Sequence, residues 1–563
     1  MAWKQQGKRQ MSEFNLIDEN WIRVRKNGYV TEISLAEALM HAEEYGGLCG
    51  ELPTQDIAIL RLLIAIIHTI ISRKDDNNQD IEEKLLNDAS SCIERWKEIW
   101  DNGKFNSILI QEYIELWKNR FWLIDEKRPF FQSSWLKSGT VHFAAKIDES
   151  ISESKNKPRI FARKSGKYKE SLSFSEAARW LVTLMLYDDR NSTKKPVVPK
   201  SVGWGGICGM IMAEGKNLFQ TIMLNMPMLT GNAREHWNKD KPTWEEEECN
   251  EIQKKIPVPC NIAQLFTVQS RRIRLTAEDG KITKALVAAG DYFDASNAFS
   301  EPMTLWKQKE EKKGKFIEPE EFIPERHKPE KKAWQEFPSI ISTAEDKHIR
   351  QPEIVVWIGM LQKKKKLPKD MLIRFKTVGI TYDTKEASIT SIFSNDIQIF
   401  ADVIENSDNS RKLQIKIADE VKNCESCASA VGNLASDIAI SGGINGKNID
   451  KGNKLLKNKK KYAEFEYYFS INDAFKNWIS SINSESNLRK AVDDWHKIGF
   501  SLAYKVGERI YRESSPEEFR GRTVKINNKK NEKKLFFCCA PEAYRRFKFK
   551  ILSIYGEQNY ERG

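Results

Sequence analysis

Three arginines, Arg271, Arg272 and Arg274, sit in QSRRIRL, a segment otherwise built for a strand. A strand sends alternate side chains to opposite faces, so Arg272 and Arg274 share a face. Cations on such a strand need partners, and internal carboxylates or the phosphates of a nucleic acid would serve equally well. A second concentration of charge runs from Lys155 to Lys169 (KNKPRIFARKSGKYK), with seven basic residues and no acid. Arg163, Lys164, Lys167 and Lys169 offer phosphate contacts there, while Phe161 and Tyr168 offer faces on which bases can stack.

Hydrolytic or redox chemistry has no comparable signature. The chain contains no phosphate-binding loop of the Walker type, no GxSxG, no HExxH and no EF-hand loop, and its seven histidines do not gather with carboxylates at ligand spacing. Cys424 and Cys427 form a CxxC without a second pair, in a helical, Ala- and Ser-rich stretch, and read as buried core cysteines rather than zinc ligands. Gly203, Gly205, Gly206 and Gly209 in SVGWGGICGM could cradle phosphate, although close packing explains a lone glycine cluster better. No cofactor is implied.

Lysines and arginines exceed acids by 91 − 79 = 12, in a chain of 563 residues with a pI near 9.0. That balance suits a polyanionic partner. Further basic runs at Lys363–Lys366, Lys454–Lys461 and Lys525–Lys534 read as solvated loops. Nine cysteines, an odd count, with no apolar leader at the N-terminus, point to a reducing, cytoplasmic setting. The apolar run Ile57–Ile71 is short for a membrane span and carries Arg61 and His68, so it reads as a buried helix and no membrane is expected.

The elements that must position these residues are legible in outline. Residues 14–35 alternate around Lys26-Asn27-Gly28, which predicts a β-hairpin. Helices are expected over Leu35–Ala42, from Thr54 with a cap at Pro53-Thr54-Gln55-Asp56, over Ile81–Trp100, Ile108–Trp117 and Ser173–Tyr187. Polar stretches at 145–171 and 188–200 flank the last of these and invite a functional reading. Residues 371–393 alternate around Asp383-Thr384-Lys385, and beyond Asp396 the spacing becomes helical over 397–439, 462–481, 487–512 and 540–555, with connectors at 441–461 and 513–534. The expectation is an α+β chain: a mixed α/β domain over residues 1–396, then a four-helix bundle over 397–563.

Four phrases, in order, resemble the large, CasA-type subunit of the type I-E CRISPR surveillance complex, Cascade. They are FNLIDENWIRV with ISLAEAL, GKNLFQTIMLNM at 215–226, the stretch from Ala263 through QSRR to EPMTLW, and RFKTVGITYD leading on to FSINDAFKNWI. The resemblance implies a non-catalytic subunit that reads the protospacer-adjacent motif (PAM) in double-stranded DNA, helps open the duplex for R-loop formation and supports a recruited helicase-nuclease. Its partners would be target DNA, the guide RNA, the other Cascade subunits and that nuclease.

Carried over residue by residue, the family's basic contact loop falls on 155–169, and its glycine-rich PAM loop on Arg190–Lys195, which holds no glycine. Asn191, Lys194 and Lys195 are then the side chains available for reading. A family lysine that touches the PAM falls near Gly290, leaving Lys281 and Lys284 as the nearest substitutes. The family's wedge glutamine falls on Gln351, preceded by Arg350 and stiffened by Pro352. Two other readings stand beside this one: a nucleic-acid-cleaving enzyme, and a scaffold that touches only guide RNA and neighbouring subunits.

Overall fold

A computed structural model describes residues 13–82, 85, 88–149, 164, 170–190, 202–229, 241–247, 255–256, 259, 261–293, 301–312, 315–316, 321–341, 348–405, 407–444, 449–527 and 533–556. The chain divides into two compact units: residues 1–333 with 339–368 and 373–396, and residues 334–338 with 369–372 and 397–563.

The first unit is organised around the helix Pro53–Ile71, whose residues from Thr54 onward are all buried. By length and composition it could cross a bilayer, but its whole apolar window lies inside the protein. Arg61, in its middle, is satisfied locally: its guanidinium lies 2.7 Å from Glu301 and 4.1 Å above the Phe266 ring, while Trp204 Nε1 donates to the other Glu301 oxygen at 2.8 Å. The expected Thr54 cap is not made. Leu52 occupies the cap position without a side-chain bond, and Asp56 instead accepts from the Gly50 N–H at 2.7 Å.

Helices Phe174–Tyr187 and Ile262–Phe266 pack on this one. The first starts with a full capping box, Ser173 and Glu176 each bonding the other's backbone N–H. Within the stretch expected to be helical from Ile81, Leu85 is helical, and a helix capped by the Asp88 carboxylate runs over Ala89–Asn102 and ends before Gly103 in the left-handed region. Around these helices lie small antiparallel sheets. The hairpin Ile22–Lys26/Tyr29–Ile33 turns on Asn27 and Gly28, both at positive φ as a two-residue type I′ turn needs. Thr140–Phe143, Lys281–Ala289 and Arg271–Glu278 form one sheet in that spatial order, and Trp306–Gln308 lies between Phe322–Pro324 and Ile349–Arg350 in another.

The second unit contains four long helices, Asp408–Ser441, Ile449–Ile479, Leu488–Arg512 and Ala540–Tyr555. The first packs on the second and fourth, and the third closes the ring against the same two. Trp495, Phe475 and Tyr467 fill the middle. Gly507 lets the third and fourth helices approach, because a Cβ there would collide with the Phe547 ring. Three expectations are corrected. Residues 397–400 end the strand Ile389–Phe400 rather than opening a helix. The lysine run 454–461 is not a loop but lies inside Ile449–Ile479, since Lys and Leu are good helix formers. The connector at 513–534 contains a short helix, Pro516–Arg520, and the paired strands Arg522–Asn527 and Lys533–Cys538.

Candidate nucleic-acid interface

The three arginines of QSRRIRL meet three different fates. Arg271 is 4% exposed and donates through Nε to Asp188 at 2.6 Å and through Nη2 to the Asp189 carbonyl at 2.8 Å. Arg272, 1% exposed, meets the Asp291 carboxylate at 2.6 Å. Arg274 is exposed, and its guanidinium has no ion-pair partner among the described residues. The strand Arg271–Glu278 thus uses its first two cations as internal ties and presents only the third to solvent.

Asp188 and Asp189 follow the helix Phe174–Tyr187 and anchor a buried charge network. Lys146 Nζ lies 2.8 Å from Asp189 and 3.7 Å from Asp188. Burial depresses the lysine pKa, but the two carboxylates outweigh it and leave the ammonium above its ordinary value. Glu149, nearby, has one oxygen within 3.3 Å of Thr54 Oγ1 and the other unpartnered. Burial, then the Asp188 charge, pushes its carboxyl up to about 8. His142 is pushed down to about 4, by burial and then by Lys146. Sequence inspection missed Lys146, Glu149, Asp188 and Asp189. Their one signal was polarity beside apolar runs, which cannot tell a solvated loop end from a buried network.

Lys164 was expected to contact phosphate. It is instead committed to Glu176 at 2.7 Å, with Asp148 at 4.0 Å, so its charge is neutralised within the protein. Phe161, Arg163, Lys167, Lys169, Asn191, Lys194 and Lys195 lie outside the described residues. Lys281 and Lys284 are exposed on the strand Lys281–Ala289. The Lys284 ammonium has Glu278 at 3.2 Å, with both side chains about half exposed at 47% and 51%, a pairing of little strength. Gly290 cannot carry a lysine here, because a Cβ would run into the Gln269 carbonyl. The glycines at 203–209 likewise serve packing: side chains at Gly203 and Gly206 would strike the Leu186 carbonyl and the Tyr382 hydroxyl.

Arg350 pairs with Trp306 across the small sheet and stacks its guanidinium 3.8 Å above Phe322. Gln351 follows, half-buried rather than standing at an open tip. Its amide donates to the carbonyls of Ile340 at 3.2 Å and Ile341 at 2.8 Å. Pro352 then caps the helix Glu353–Lys363. The structure therefore brings Arg350 and Gln351 together at one sheet edge, with Lys281 and Lys284 on a different sheet.

Among the described residues no group of three or more His, Cys, Asp or Glu side chains could hold a metal ion. Cys424 and Cys427 are fully buried in the bundle, and burial raises both thiols, Cys427 to about 11.

Comparison with known proteins gives a consistent picture. Residues 15–504 match the family model described as CRISPR-associated protein Cse1. A CasA/Cse1 protein of Thermus thermophilus is 26% identical over 244 residues, a match spanning 42% of this chain and 42% of that protein. The crystal structure of Thermobifida fusca Cse1 superposes with a TM-score of 0.76 at 24% identity, covering 96% of this chain and 98% of the other. A chain of a CRISPR RNA-guided surveillance complex superposes with a TM-score of 0.66 at 14% identity, covering 96% and 99%. These likenesses establish a shared fold.

Proposed function

The chain belongs to the CRISPR-associated Cse1 family, and from that premise we propose that it is a non-catalytic large subunit of a type I-E RNA-guided complex in the cytoplasm. In this reading it recognises the PAM in double-stranded DNA, helps open the duplex for R-loop formation, and supports recruitment of a helicase-nuclease. The observation that carries it is the family match across residues 15–504, supported by the fold shared with a chain of an RNA-guided surveillance complex. Such a subunit reads a short motif while guide pairing reads sequence, a division of labour known from another effector.

Its residues take the following proposed roles. Gln351, with Arg350 held over Phe322, is the wedge at the first opened pair. Because the Gln351 amide is bonded to two backbone carbonyls, insertion exchanges those bonds for contacts with a base. Lys281 and Lys284 face DNA, as do Asn191, Lys194 and Lys195. Phe161, Arg163, Lys167 and Lys169 supply the basic contact loop, from which Lys164 is withdrawn by Glu176. Guide RNA and the other Cascade subunits are the remaining partners.

The test is binding of duplexes with randomised PAM positions to the guide-loaded remaining complex, with and without this chain, at fixed near-physiological salt. PAM-selective binding that requires the chain is expected. Equal selection without it would reduce the protein to a scaffold.

A further inference from the structure

The sheet formed by Thr140–Phe143, Lys281–Ala289 and Arg271–Glu278 has one buried and one open face, and its register says which side chains share each. Thr140, Val287 and Ile273 line up across the strands, as do His142, Ala285 and Leu275, on the inner face. The outer face carries Val141, Leu286 and Arg274 in one row and Phe143, Lys284 and Thr276 in the next. None of these six is buried, and Val141 and Phe143 are 66% and 65% exposed. Two large apolar side chains this open on one edge strand, with cations on the two strands beside it, form a patch that solvent alone does not explain.

We propose that this open sheet face binds a single-stranded segment of DNA, its bases against Phe143 and Val141 and its phosphates at Lys284 and Arg274. Neighbouring strands lie about 4.8 Å apart, so a nucleotide laid across the sheet puts its base over the apolar edge strand and its phosphate one or two strands away, where the cations are. Charge complementarity favours a polyanion. Arg274 has no ion-pair partner among the described residues, Lys281 adds an exposed cation, and Glu278 is weakly paired with Lys284. Stacking on Phe143 needs an unpaired base, whose π face a duplex keeps covered. The apolar floor of Val141, Leu286 and Phe143 offers no partner to a ribose 2′-hydroxyl, the group by which proteins select RNA.

This inference deepens the DNA-opening role and rests on it, since an opened duplex is what supplies a free strand. The experiment is fluorescence anisotropy of labelled oligothymidylate with the full chain, against Phe143→Ala and Arg274→Ala/Lys284→Ala, with oligouridylate of equal length in parallel. The side chains are exposed, so the melting temperatures should match the parent's. Phe143→Ala is expected to weaken oligothymidylate binding roughly 5- to 150-fold. The double variant should lower the salt slope by roughly 0.7 for each cation lost. Binding unchanged in both variants overturns the proposal, and tighter binding of oligouridylate overturns the assignment to DNA. Should the chain prove not to confer PAM selection while Phe143→Ala still releases oligothymidylate, the PAM-reading role fails and the single-strand site stands.

Discussion

Arg271 Nε lies 2.6 Å from Asp188 Oδ2, with both side chains 4% exposed, so a cation from a strand closes the end of a helix 83 residues earlier. Lys146 shares the same carboxylate at 3.7 Å and takes Asp189 at 2.8 Å. One buried network thus ties together the residues just before position 150, the end of the helix Phe174–Tyr187 and the inner edge of the proposed DNA-binding sheet.

Removing one member of this network should be costly. Asp188→Ala leaves Arg271 buried with its main carboxylate gone, and breaking such a pair typically destabilises by about 3–5 kcal/mol. Urea denaturation followed by tryptophan fluorescence should show the loss in the transition of the first unit. A shift below about 1 kcal/mol would mean that water reaches Arg271.

The raised carboxyl of Glu149 makes stability depend on pH. Its ordinary value is 4.5 and its folded value about 8. Across that interval the unfolded chain has lost a proton that the folded chain keeps, so stability falls as pH rises. His142, lowered from 6.5 to about 4, works in the opposite sense between those two values. The Lys146 ammonium, raised above 10.5, titrates beyond both. The diagnostic range is therefore about pH 6.5 to 8. Thermal unfolding should show a falling melting temperature there, flattened in Glu149→Gln. An identical slope in the variant would place the titration elsewhere.

The wedge assignment separates two rates. Gln351→Ala with Arg350→Ala should slow strand opening, read by 2-aminopurine fluorescence in the guide-loaded complex, by about tenfold or more, while initial duplex binding changes much less. Equal losses in both measurements would show that these residues only help to hold DNA.

Much of the architecture is local in origin and was therefore readable from the chain. The turn at Lys26-Asn27-Gly28, the helix from Ser173 and the helical spacing beyond Asp396 depend on residues a few positions apart. The family phrases around QSRR and RFKTVGITYD likewise led to the mixed α/β region followed by a helical bundle, a fold shared with Thermobifida fusca Cse1. What alternation along a strand cannot supply is the partner of each side chain. It put Arg272 and Arg274 on one face, yet Asp291 takes the first inside while the second meets solvent. Lys164 was lost to Glu176, the lysines at 454–461 joined a helix, and the Gln351 amide was drawn to the carbonyls of Ile340 and Ile341. Composition determined that this is a basic chain with cations to spare. Only tertiary packing decided which of them are spent inside, because a buried charge must find its counter-charge wherever the fold brings one, however distant in sequence.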